Sequence, residues 1–218
     1  MWVYIWTDEW MPWANTIAYY PLTSETTVND LSWNGYNLTT NWTVTFWTNQ
    51  GVSCASFNSS WLYISSFSQL QWTASRTYSF WIYDNNTWTW QPTYVFQWRT
   101  GNNNQMVLIF TDGNKNYTIS QWGSSSGSFW AKKNGQWVHI AVTYDGSKFT
   151  WYTNWTSAGT WTYTINTQWS ELAIWKNSWN TWGSFVWYIS EVIVENKVRT
   201  ASEIAGYYNQ TKSQYWIS

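Results

Sequence analysis

The sequence predicts an all-β protein, a two-sheet antiparallel β-sandwich of jelly-roll type with one short C-terminal helix. Three observations predict it. Short runs rich in β-branched and aromatic residues recur along the 218 residues, turn dipeptides punctuate them, and only the C-terminal region carries helical spacing.

The first run is "TIAYYPL" (16–22), followed by "LYISSF" (62–67), "TYSFWIY" (77–83) and "TYVFQW" (93–98). "MVLIFT" (106–111) and "NYTISQW" (116–122) flank Asp112-Gly113, a hairpin dipeptide. Asn134-Gly135 precedes "WVHIAVTY" (137–144), and Asp145-Gly146 joins that run to "KFTWYT" (148–153). "ELAIW" (171–175) and "FVWYISEVIVEN" (185–196) complete the strands. In "TASEIAGYYNQ", Thr200 and Glu203 stand at capping-box spacing, with Ala201, Ile204 and Tyr208 on one face, so a helix is expected there. One domain is expected over 15–212, with 1–14 as an extension or linker and 213–218 as a tail.

Composition narrows the function classes. Ten basic and eleven acidic residues leave a formal charge of −1, so no basic footprint for nucleic acid or an anionic membrane exists. No apolar run approaches the roughly 20 residues of a membrane-spanning helix. The N-terminal "MWVYIWTDEWMPWANT" lacks a basic region followed by an apolar stretch; an export signal, if there is one, is expected outside this chain. The lone Cys54 excludes an internal disulfide and a cysteine zinc site and reads as a small buried residue.

Tryptophan is the anomaly. The chain has 25 Trp and only 11 Gly, although tight turns need positive φ, which is cheap only for glycine. Within "NDLSWNGYNLTTNWT" (29–43), Trp33 and Trp42 each follow a small polar residue where the turn context favours glycine.

The order of motifs resembles the concanavalin A-like lectin/glucanase superfamily, in its laminin-G-like, pentraxin-like branch. "IAYYPLTSETTVNDLSWNGYNLT" is similar to the opening strand and its Asp-x-Ser-Gly-x-Gly loop, and "RTYSFWIY" to the central strand. "GQWVHIAVTYDGSKFTWYTNW" resembles the block Trp-x-His-hydrophobic-Ala, Tyr-Asp-Gly, Tyr-x-Asn-Gly. "ELAIWKNS" and "FVWYISEVIVENKVRTASEIAGYYNQ" resemble the closing strands and helix. The resemblance places glycine at Trp33, Trp155, Trp175 and Trp187, but tryptophan at Trp81 and Trp137. Trp42, Trp47, Trp61, Trp90, Trp98, Trp161, Trp169, Trp179 and Trp182 share the turn-like contexts, while Trp72, Trp88, Trp122 and Trp151 are borderline. The pattern is that of a gene in which UGA encodes glycine, as in certain uncultivated bacteria, rendered with tryptophan. A surface of genuine sugar-stacking tryptophans is the rival reading.

The resemblance implies a non-catalytic extracellular or cell-surface recognition module, adhesin-like, whose partner is a carbohydrate or a cell-surface protein. A structural spacer of a surface or pilus-associated protein, or an accessory domain of a glycoside hydrolase, are the alternatives. Glycosidase chemistry needs two carboxyl groups at about 5–5.5 or 6.5–9.5 Å. Glu191 and Glu195 of "EVIVE", four residues apart on a regular strand, would lie about 13 Å apart. His139 reads as a packed sheet histidine. Relatives that hold Ca²⁺ do so between the first loop and the last strand, implicating Asp30, Asn34 and Glu191; Ser190 stands where a second carboxylate is common. The other reading makes Asp30 a turn cap. For glycan binding, the polar loops 84–93, 99–105 and 176–184 offer Asn86, Asn103, Asn104, Asn177 and Asn180 as uncharged partners for hydroxyls.

Overall fold

The computed structural model describes residues 14–41, 44–57, 60–84, 93–99, 107–111, 116–121, 124–131, 135–167, 170–174 and 187–216. The strands in chain order are β1 (Thr16–Tyr20), β2 (Thr39–Asn41), β3 (Thr45–Asn49), β4 (Val52–Phe57), β5 (Trp61–Phe67), β6 (Arg76–Asp84), β7 (Thr93–Arg99), β8 (Val107–Thr111) and β9 (Asn116–Gln121). They continue with β10 (Ser124–Ala131), β11 (Trp137–Tyr144), β12 (Lys148–Thr153), β13 (Thr156–Thr162), β14 (Ser170–Ile174) and β15 (Trp187–Glu195). The helix α1 (Ala201–Thr211) ends the fold and runs into a 3-10 turn, Lys212–Tyr215.

The strands form two sheets, as expected of a sandwich. One runs β13-β12-β11-β6-β15-β4-β3, with β1 also paired to β15; the other runs β10-β9-β8-β7-β14-β5-β2. All pairings are antiparallel. The main core lies between the sheets and includes Tyr20, Phe57, Leu62, Phe67, Phe80, Ile82, Ile140 and Leu172. Every side chain of that size taken from water contributes about 1.5–3 kcal/mol.

The first sheet is buried on both faces at its centre. Along β6, Tyr78, Phe80 and Ile82 enter the inter-sheet core, whereas Trp81 and Tyr83 form a second cluster with Val52, Cys54, Trp137, Tyr208 and Tyr215. The helical C-terminus covers that outer face. Trp81 stacks on Tyr215 with ring centroids 4.0 Å apart. The residues expected as a tail therefore belong to the packed domain at least through Tyr215, which is buried. Burial of Cys54 agrees with the sequence reading and pushes its thiol up to about 12.

The α1 start is as expected. The Thr200 hydroxyl accepts from the Glu203 N–H at 3.2 Å, and the Glu203 carboxylate accepts from the Thr200 N–H at 2.7 Å. Five strands escape the sequence reading, β2, β3, β4, β10 and β13. Their runs, such as "VSCASF" and "TSAGTWT", are rich in small polar residues, and pairing with neighbours rather than local propensity makes them strands.

Candidate functional site

The strand ends decide which loops can act together. Trp187 at the start of β15 pairs with Asp84 at the end of β6, and Ile174 at the end of β14 pairs with Phe96 of β7. The segments 85–92 and 175–186 therefore depart from strand ends at one end of the sandwich. Arg99 of β7 pairs instead with Glu171 at the beginning of β14, so the β7–β8 connection departs from the other end. Asn86, Asn103, Asn104, Asn177 and Asn180 themselves lie outside the described residues.

The β12–β13 connection is a well-defined feature of the first sheet. Asn154 and Trp155 both have positive φ (45° and 66°), forming a tight two-residue hairpin between β12 and β13. The Asn154 Oδ1 accepts from the His139 N–H, and the Asn154 N–H donates to the His139 carbonyl, both at 2.9 Å. These bonds fix the hairpin tip against β11.

The first loop is organised around Asp30. One carboxylate oxygen accepts from the N–H groups of Tyr19 (3.0 Å) and Ser32 (2.9 Å). The other accepts from the Ser32 hydroxyl (2.8 Å) and the Tyr36 N–H (3.1 Å). The Asn34 amide donates to the carbonyls of Thr16 and Ile17, both at 3.1 Å. The turn-cap alternative describes this geometry well. Glu191, the third residue implicated in calcium binding, faces tyrosine hydroxyls instead: Tyr215 donates to it at 3.1 Å and Tyr19 at 3.4 Å. Burial raises its carboxyl pKa above the usual range, partly offset by the hydroxyls of Tyr207, Tyr215 and Tyr19. This donor set does not fit a calcium ion, which needs six to eight oxygens turned toward it. Among the described residues no three His, Cys, Asp or Glu are grouped to hold a metal.

Glu191 also departs from regular strand geometry. It has φ 58° and lies in a register shift of β15 between Ser190 and Ile193. There β15 exchanges one neighbour for another, β4 before the bulge and β1 after it. The regular-strand spacing assumed for Glu191 and Glu195 thus does not apply, although each carboxylate is engaged. Glu195 makes a two-point pair with Arg199, at 2.5 Å to Nε and 2.8 Å to Nη2.

His139 is packed in the sheet, as expected, between Trp81 (centroids 5.1 Å apart) and Tyr207 (5.3 Å). Burial, with a smaller push from the Arg199 guanidinium, lowers its pKa from 6.5 to about 3. Since the unfolded chain binds the proton first, His139 contributes stability that is complete above pH 6.5 and is lost as pH falls toward 3. Each pH unit in that window costs about 1.4 kcal/mol. Glu191, with its raised pKa, has the opposite slope. The difference between the parent and His139→Leu in urea-unfolding free energy at pH 7, 6 and 5 therefore isolates the histidine. A parent-minus-variant difference that stays constant over this range would rule out the buried neutral state.

The tryptophans divide by backbone and burial. Trp33, Trp72, Trp155 and Trp216 have φ of 72°, 58°, 66° and 58° and are 90, 56, 50 and 74 % exposed. Trp81, Trp137 and Trp151 are buried in strands. Trp151 packs so closely under Gly159 that a Cβ there would lie 2.9 Å from its indole nitrogen. Trp161, grouped by sequence with the turn-like positions, instead stacks on Phe149 and Tyr163 within β13.

Comparison with known proteins gives a consistent picture. The laminin-G family model described as "Concanavalin A-like lectin/glucanases superfamily" matches residues 56–205. Domain 4 of AbnA, an extracellular GH43 arabinanase from Geobacillus stearothermophilus solved with arabinotriose, superposes with TM-score 0.71 at 19 % identity, covering 88 % of this chain and 97 % of that one. The binding domain of Paraclostridial Mosquitocidal Protein 1 gives 0.74 at 16 % identity, over 91 % of this chain and 52 % of that one. A botulinum neurotoxin type C structure, from work on cell entry dependent on two ganglioside molecules, gives 0.72 at 14 %, over 91 % and 51 %. This chain spans about half the length of the last two. Identities this low establish a shared fold. A search of curated protein sequences returns no significant match.

Proposed function

Because the chain belongs to the concanavalin A-like lectin/glucanase superfamily, we propose that it is a non-catalytic recognition module, extracellular or on a cell surface, that binds a glycan through one end of the sandwich. The observation that carries this reading is the pairing of Trp187 with Asp84, which brings the Asn-rich segments 85–92 and 175–186 out of adjacent strand ends on a rigid scaffold. Uncharged amides on such a platform suit sugar hydroxyls. The fold likeness to a domain solved with arabinotriose supports the same class of ligand. The engagement of Glu191 by tyrosines and Glu195 by Arg199 supports the non-catalytic reading.

A glycan array followed by calorimetry tests this. Binding competed by free sugar is expected, with Asn177→Ala and Asn86→Ala each weakening it about tenfold, equivalent to about 1.4 kcal/mol. Asn103→Ala is expected to leave affinity unchanged. Binding insensitive to chelator accords with the engaged Asp30 carboxylate, whereas a calcium requirement would return Asp30, Asn34 and Glu191 to the site. No retained glycan at all would favour the structural-spacer reading.

A further inference from the structure

Beneath α1 lies a small cavity against the outer face of the first sheet. The geometry points to it as a binding site for a single water molecule, held by the imidazole of His139 and linking strand β11 to the helix. Its volume for the centre of a water-sized sphere is about 10 Å³. That is about the minimum for one water and too small for a larger ligand.

The lining has the chemistry a water needs. His139, Ser79, Arg199 and Tyr207 contribute polar groups, and Ile193 and Ile204 close the sides. His139 is 1 % exposed, and neither of its ring nitrogens has a hydrogen-bond partner within reach in the protein. A neutral imidazole carries one donor and one acceptor, and both are costly to bury unmet. The buried Tyr207 hydroxyl lies against the Glu191 carboxylate without reaching regular hydrogen-bond geometry, which leaves it free to turn to a water. Apolar cavities of this size stay dry, but one lined by an imidazole and hydroxyls supplies the two to four partners that hold a water. The neighbouring Thr77 hydroxyl is already engaged, donating to the Lys197 carbonyl and accepting the Arg199 N–H at 3.0 Å. The His139 imidazole on the sheet is therefore left for a water, with the Ser79 hydroxyl beside it and the Tyr207 hydroxyl facing it from the helix. The water gives the aromatic seat of α1 a directional tie that stacking alone lacks.

The test is NMR on the full chain labelled with ¹⁵N-histidine. The expected result is cross-relaxation between the His139 ring N–H and a water resident for longer than nanoseconds. Oxygen-17 relaxation dispersion is expected to lose the contribution of one long-lived water in His139→Leu. A ring N–H without water contact in the parent, or an unchanged dispersion amplitude in folded His139→Leu, overturns the assignment. If that variant does not fold, the parent spectrum decides, and in Tyr207→Phe the water should exchange faster; unaltered exchange counts against the bridge.

Discussion

Replacing Trp33, Trp72, Trp155 and Trp216 together by glycine is expected to raise stability, although it removes four large side chains. Each holds a left-handed backbone conformation that costs an L-residue with a Cβ about 1 kcal/mol or more, and that glycine adopts freely. Each is also at least half exposed, so little packing is lost. The gain should be roughly 2–4 kcal/mol in total, since glycine also loosens the unfolded chain. For a domain of this size that is about 2–4 °C in Tm per kcal/mol. Trp216 should contribute least, because its indole contacts Gly51. Trp81→Gly or Trp151→Gly should do the reverse and cost about 3–5 kcal/mol, as expected for emptying a core site. A fall in Tm for Trp33→Gly and Trp155→Gly would sink the backbone argument. The genetic counterpart is UGA at Trp33 and Trp155 beside UGG at Trp81 and Trp137; UGG at all four would make the turn tryptophans genuine and revive aromatic stacking as a route to sugar.

The second large effect concerns Glu195. Its carboxylate is 1 % exposed and pairs through two contacts with Arg199, itself nearly buried. Beside the pair, the Arg199 backbone N–H donates to the Thr77 hydroxyl and ties the β15–α1 connection to β6. Glu195→Ala leaves a buried guanidinium without its partner and should cost about 3–5 kcal/mol in urea unfolding. The double variant Glu195→Ala/Arg199→Met should recover much of this, because it removes both charges and fills the space. A single-variant cost under about 1 kcal/mol, with α1 amide protection unchanged, would mean that the aromatic seat alone holds the helix.

Much of the fold was legible in local sequence. "WVHIAVTY" and "KFTWYT" coincide with β11 and β12, and the Asp145-Gly146 hairpin joins them; in that turn the Asp145 carboxylate accepts from the N–H groups of Ser147 and Lys148. Propensity, alternation and turn chemistry act within a few residues, so a single chain displays them. The candidate site was less legible. Asp30 and Glu191 were singled out from their places in a family pattern, and the structure gives their oxygens to N–H and hydroxyl donors from across the fold. Asn86, Asn103, Asn104, Asn177 and Asn180 lie outside the described residues, and which strand end each loop leaves is a property of register between distant segments, which local pattern does not display.

By itself the sequence determined the class of fold, most strand cores, the capped helix and the misfit of tryptophan in turns. Tertiary structure alone decided that β6 and β11 are buried on both faces, because only the packed helix covers the second one. It also decided where β15 bulges and exchanges β4 for β1, and which loops share an end of the sandwich. Those outcomes depend on contacts between residues far apart in the chain. Their free energy exists only once the sheets and helix are assembled, so local pattern carries no trace of it.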